Sequence, residues 1–203
     1  MPSETFFRLP ESKQERIVQA IKDEIARASY EDFSIGSILR SCNISRGSFY
    51  QYFHNKEDIF LFLISDYQQK IIDDMIQALQ KNDGDLFDMF EHTFRHAVRL
   101  LCYKDSRSFR HNLFCNMQLF DAIWKREGYA QSRIQNYDRL KAYVNPAHLR
   151  LTNPEEIGTL FEICTNSALK DAAYIFISDE NEQQVLDRFL KKLDLLRRAY
   201  SAD

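Results

Sequence analysis

Residues 33–60 read FSIGSILRSCNISRGSFYQYFHNKEDIF, from Phe33 to Phe60, and the fold turns on this stretch. Ser34 has the form of an N-cap, whose side-chain oxygen accepts from an orphan amide of the first helical turn. Behind it Ile35, Ile38, Leu39 and Cys42 fall at i, i+3, i+4 and i+7, one face of a short helix. Asn43 follows, and Asn tolerates the left-handed backbone that closes a helix and opens a tight turn. Ile44 is a single apolar plug, and Ser45 caps another short helix through about Phe53, with Phe49 and Phe53 facing inward. Asn55 caps the next, with Glu57 and Asp58 in its first turn, where the helix dipole favours acids.

The charge of this segment is as informative as its periodicity. From Phe33 to Lys56 there is no Asp or Glu, while Arg40, Arg46 and Lys56 supply positive charge. The whole chain carries a formal net charge of −3, so the basic face is local rather than global. Locality suffices, because screening at physiological salt acts over about 8 Å. Helix, short turn, helix is the geometry that puts a second helix into the major groove of a duplex. The expected exposed face of that second helix is Ser45, Arg46, Gly47, Ser48, Gln51 and Tyr52. A capped helix N-terminus holds a phosphate, Arg forks onto guanine O6 and N7, and Gly allows close backbone approach. Tyr50, Tyr52 and Lys56 are donors suited to phosphate oxygens. The bland alternative, a polar surface on a small bundle, does not explain so many suitable types in one short run.

Outward from this segment the pattern is helical throughout. Ser12-Lys13-Gln14-Glu15 has the form of a capping box ahead of Ile17, Ile21, Ile25 and Ala28, in a helix ending near Ser29. The helix capped by Asn55 carries Ile59, Leu63, Tyr67, Ile71, Met75 and Leu79 to about Gln80, and Asn82-Asp83-Gly84 breaks it. Helical periodicity returns over about 85–103, 106–127 and 130–144, and Asn145-Pro146 stops it. Thr152-Asn153-Pro154-Glu155-Glu156 restarts a helix that runs to about Ile177, and a last one begins near Asp179, with Glu182 three residues on, and runs to Tyr200. Only 5 Gly and 4 Pro in 203 residues also argue against a sheet protein with many tight turns. The expectation is an all-α chain of about nine helices.

Composition excludes several classes. The longest apolar runs, Ile59 to Ile64 and Ala172 to Ile177, fall far short of the roughly 20 residues that span a bilayer. The opening MPSETFFRLP lacks a basic region followed by an apolar stretch, so no secretion signal is expected. Cys42, Cys102, Cys115 and Cys164 are scattered and read as reduced thiols of a cytoplasmic protein. His92 and His96 lie four apart, but no third ligand is evident except His111, so solvated or core histidines are expected and no metal. No nucleophile beside a base, no phosphate loop and no cofactor motif appears, so no enzymatic activity is expected.

The segment Phe33–Phe60 resembles the DNA-binding head of the TetR family of bacterial transcriptional regulators. That family's pattern has Thr/Ser opening the second helix, an apolar pair, a turn, then Ser-x-Gly-Thr/Ser-apolar-Tyr-x-x-Phe and a Lys. Here those places hold Ser34, Ile38, Ile44, Ser45, Gly47, Ser48, Phe49, Tyr50, Phe53 and Lys56. Three positions depart from it: Asn43 replaces a usual Gly, Leu39 a usual Ala, and Tyr52 a common His.

The resemblance implies a helix-turn-helix domain over 1–54 and an effector-binding and dimerisation domain over 55–203. It implies DNA contacts from Ser34, Gly36, Ser45, Arg46, Gly47, Ser48, Tyr50, Gln51, Tyr52 and Lys56. It implies a homodimer, paired through the last two helices, on a palindromic duplex operator, with release by a small-molecule effector. A repressor is expected; a ligand-responsive activator of the same family, or a helical protein-interaction module, is the alternative. Residues 86–129 are rich in aromatics, most of them core. Phe90, Phe94, Phe114, Met117, Phe120 and Phe161 are the expected lining of an effector cavity for an apolar or aromatic ligand, with His92, Asn116 and Asn166 as polar anchors.

Overall fold

A computed structural model of the chain describes residues 1–103, 107–114, 129–178 and 180–202. Among them are ten α-helices: α1 (Glu4–Phe7), α2 (Glu11–Arg27), α3 (Ile35–Cys42), α4 (Arg46–Tyr52), α5 (Lys56–Lys81), α6 (Leu86–Cys102), α7 (Arg107–Phe114), α8 (Tyr129–Lys141), α9 (Glu156–Ile177) and α10 (Glu182–Tyr200). A 3-10 turn at Pro146–His148 lies between α8 and α9. The all-α expectation holds. Among the described residues no helix is long and apolar enough to cross a membrane.

Local chemistry sets most helix ends where the sequence places them. The Ser34 hydroxyl accepts from the Ser37 amide at 3.4 Å, and the Ser45 hydroxyl from the Ser48 amide at 3.1 Å. Asn43 closes α3 in the left-handed region, at φ 49° and ψ 54°. Asn55 Oδ1 accepts from the Asp58 amide at 2.8 Å and opens α5.

Two local expectations are corrected, and one helix is new. Helix α2 starts at Glu11 behind Pro10, with no side-chain cap. Ser12 is therefore already inside the helix and Ser12–Glu15 is not a capping box. The Pro10 carbonyl takes the first amides instead, Lys13 N at 2.8 Å and Gln14 N at 3.1 Å. The capping box of α10 is Asn181–Gln184, two residues beyond Asp179–Glu182. Helix α1 gives no periodic signal, being four residues long. Packing makes it, because Phe6 is buried against the rings of Tyr52, Phe53 and Phe62.

The packing divides the chain into two compact units, residues 1–68 with the described part of 104–126, and 69–103 with the described part of 127–202. In the first, Ile17, Ile21 and Ile25 of α2, Ile38 of α3, Phe49 of α4, and Phe53 are fully buried, as are Ile59 of α5 and Leu113 of α7. Each such side chain contributes about 1.5–3 kcal/mol of burial. In the second, Leu86, Phe87, Phe90 and Val98 of α6 join Leu160 and Cys164 of α9 and Val185 and Phe189 of α10. Asp171 of α9 is completely buried there, and Lys192 Nζ of α10 reaches both its carboxylate oxygens at 2.8 Å.

Candidate nucleic-acid interface

Helix α4 is seven residues long and its inner side is Phe49 and Tyr52. That orientation leaves Ser45, Arg46, Gly47, Tyr50 and Gln51 exposed and Ser48 half-buried. Tyr52, expected on the outer face, is only 4% exposed. It lies three residues from Phe49, on the same side of the helix, and its ring packs on Phe6 at 6.2 Å with Lys13 Nζ 6.0 Å from the centroid. On the outer side the Arg46 guanidinium lies 5.8 Å from the Tyr50 ring centroid, a cation–π arrangement that holds it over the helix surface. Ser45 and Ser48 share a hydroxyl–hydroxyl bond of 2.8 Å.

The two glycines of this region are not demanded by packing. A Cβ on Gly47 would meet nothing nearer than Ser45 Oγ at 4.0 Å. One on Gly36 would make ordinary contacts with Ser34 Oγ at 3.5 Å and Arg40 Nη1 at 3.7 Å. The fold would accept alanine at either place.

Lys56 is less free than the sequence suggests. Its Nζ donates to the Tyr30 carbonyl at 2.5 Å and sits 3.9 Å from the Tyr30 ring centroid. Tyr30 in turn donates its hydroxyl to Glu57 Oε1 at 2.8 Å. An ammonium has three donors, and the Tyr30 carbonyl takes one of them.

Two supports were not foreseen from sequence. Ser3 ties α1 to the end of α4, its amide donating to the Tyr52 carbonyl at 2.9 Å and its hydroxyl to the Gln51 carbonyl at 2.5 Å. Glu24 of α2 is 4% exposed and accepts from Arg27 Nε at 3.0 Å, Arg27 Nη2 at 2.6 Å and the Ser34 amide at 2.9 Å. Burial pushes the Glu24 carboxyl up, but Arg27 and the Ser34 amide together hold it below the usual carboxylate range. A negative charge is thereby fixed at the N-terminus of α3, the favourable end of that helix.

The expected effector residues fall into separate groups. Phe90 and Phe161 pack at 5.2 Å between centroids, and Phe161 meets Tyr137 at 5.6 Å. Tyr137 was not anticipated. Phe94 lies against Phe189 at 4.0 Å. Phe114 belongs to the first unit, where it packs on Tyr67 at 5.6 Å. Met117, Phe120 and Asn116 lie outside the described residues. Asn166 is exposed, and His92 and His96 face Asp74, at 4.0 and 3.2 Å. Among the described residues no group of three His, Cys, Asp or Glu is placed to hold a metal ion.

Residues 17–63 match the family model described as bacterial regulatory proteins, tetR family, and residues 85–198 match that of the tetracyclin repressor-like C-terminal domain. A curated relative, the uncharacterized HTH-type transcriptional regulator YuxN of Bacillus subtilis, is 29% identical over 72 residues. That alignment spans 36% of this chain and 25% of the relative. Among solved structures, SmeT, the repressor of the Stenotrophomonas maltophilia multidrug efflux pump SmeDEF, shares the fold with a TM-score of 0.65 at 14% identity, over 98% of this chain and 93% of that one. A SmeT–triclosan complex gives the same TM-score at 15% identity, over 95% and 93%.

Proposed function

Since the chain belongs to the TetR family of bacterial transcriptional regulators, we propose that it is a cytoplasmic repressor. It binds a palindromic duplex operator as a homodimer and lets go when an apolar or aromatic small molecule occupies its C-terminal domain. The observation that carries the reading is the outer face of α4. Arg46, Gly47, Tyr50 and Gln51 are exposed on a helix preceded by a left-handed turn, in a segment without a carboxylate.

On DNA, α4 enters the major groove with Arg46 on a guanine edge. The Ser45 cap, the bare backbone of Gly47 and the remaining donors of Lys56 take phosphates, while Ser34 and Gly36 present the start of α3 to the flanking strand. Dimerisation uses α9 and α10, whose Ile163, Leu169, Ile177 and Leu195 are exposed apolar residues. A two-fold axis then sets the two copies of α4 about 34–36 Å apart, one turn of duplex. An effector bound near Phe90, Phe161 and Tyr137 releases the operator to the extent that it prefers a spacing that misses successive grooves. SmeT's complex with triclosan supports an apolar aromatic ligand for this fold.

The test begins by selecting an operator from a random duplex library with the wild-type protein. Arg46→Ala is expected to weaken binding by about 1–3 kcal/mol and to relax one base position in each half-site. Lys56→Ala is expected to weaken all sequences alike and lower the salt slope by about 1 per half-site. Unchanged titrations for both variants refute the assignment.

A further inference from the structure

Helix α7 falls within the match to the C-terminal family model, residues 85–198, yet it packs along α2 in the compact unit that holds α3 and α4. Its Phe109 and Leu113 are buried. Asn112, half-buried, makes a polar connection of unusual reach: its Nδ2 donates to the Ile25 carbonyl at 2.7 Å and to the Ala28 carbonyl at 3.2 Å. These acceptors belong to the last turn and C-cap of α2, where backbone carbonyls have no partner within the helix. The residue before Ile25 is Glu24, whose carboxylate receives the Ser34 amide at the start of α3. The two sets of hydrogen bonds are joined by the backbone of α2: Asn112 holds the carbonyls of Ile25 and Ala28, and the neighbouring residue, Glu24, holds the Ser34 amide at the N-cap of α3.

We infer that Asn112 is a positioning residue for the helix-turn-helix: by fixing where α2 ends it fixes Glu24, and through Glu24 the N-terminus of α3. The inference deepens the DNA-binding reading and rests on it for its consequence, but not for its geometry. An amide suits the place because it supplies two hydrogens to two carbonyl oxygens. A carboxylate of the same shape has none to give, and its charge opposes the negative end of α2.

The experiment is site-resolved amide hydrogen exchange on the full chain, comparing wild type with Asn112→Leu and Asn112→Asp. Ile17→Val, which trims a buried methyl near the middle of α2 and keeps the tie, serves as the control. Exchange at the Ser34 and Ser37 amides is expected to rise about tenfold in both Asn112 variants, beyond any rise across α5. A rise no larger than that in Ile17→Val, or spread evenly through the unit, overturns the inference. Should Asn112→Asp fail to fold, Asn112→Leu decides.

Affinity for a random-sequence duplex, read by anisotropy, is expected to fall about fivefold in Asn112→Leu. An unchanged affinity overturns the positioning role even if exchange rises. A wild type that binds no duplex refutes the DNA-binding reading, while the exchange measurement still decides the tie.

Discussion

Gly47→Ala separates the demands of the fold from those of the proposed DNA contact. The residue is the second of α4, and a Cβ there has Ser45 Oγ, at 4.0 Å, as its nearest neighbour. Inside the protein the substitution removes only backbone freedom from the unfolded chain. In a first helical turn that favours alanine by about 0.5 kcal/mol, or a rise in Tm of about 1–2 °C for a chain of this size. Toward DNA, if α4 docks as proposed, the effect is expected to reverse. A backbone N–H bonded to a phosphate oxygen sits about 2.9 Å from it. A methyl carbon needs about 3.5–4 Å from its neighbours, so it holds the strand off by roughly an ångström. Losing much of one charge-assisted bond costs about 1–2 kcal/mol. With two half-sites that is about 2–4 kcal/mol, or roughly 30- to 1,000-fold in Kd. Thermal unfolding and operator titration on one preparation check both signs. A variant that binds as tightly as wild type, or that melts earlier, refutes the argument that the glycine is there for a close approach from outside.

Two further outcomes follow from buried charges. Glu24→Gln is expected to cost about 2 kcal/mol at neutral pH, since it leaves Arg27 and the Ser34 amide with a weaker acceptor. The folded carboxyl titrates below its unfolded value, so the stabilisation is fully present above the unfolded value, near about 4.3, and drains away as pH falls through the folded one. Urea unfolding from pH 7 downward should show wild type and variant converging in acid, and a gap that stays constant contradicts the pairing. Lys192→Met strands the fully buried Asp171 and is expected to cost about 3–5 kcal/mol. Asp171→Leu is expected to cost less, because the Lys192 side chain is 40% exposed and can turn to water. Denaturant midpoints that rank the two variants the other way overturn this account.

What could be read in advance was local chemistry. Ser34, Ser45 and Asn55 cap helices because a short side chain reaches back to an amide two or three residues on, and Asn43 turns the chain because its backbone tolerates positive φ. None of these depends on residues far away. What the sequence leaves hidden depends on partners distant in the chain. Lys56 is drawn inward by the Tyr30 carbonyl, and Glu24 acquires its role only when α3 arrives. Helix α1 exists because Phe6 finds the rings of α4 and α5. Tyr52 is a different case. Its spacing of three from Phe49 puts it on the inner face, where its ring packs on Phe6 despite the polar hydroxyl. The effector lining was legible only as an aromatic excess, since composition does not say which ring meets which. Phe94 turned out to face Phe189 rather than Phe90 or Phe161.

The placement of α7 also bears on how such a regulator can be re-engineered. A chimera that keeps residues up to the α5–α6 turn and takes everything after it from a relative carries a foreign α7 against its own α2. Ile25 and Ala28 then lose their amide donor unless the incoming helix offers an asparagine at the same register. The two domains are therefore not interchangeable cassettes cut at a loop. The seam runs through the contact of two helices, and a successful swap has to carry both sides of it.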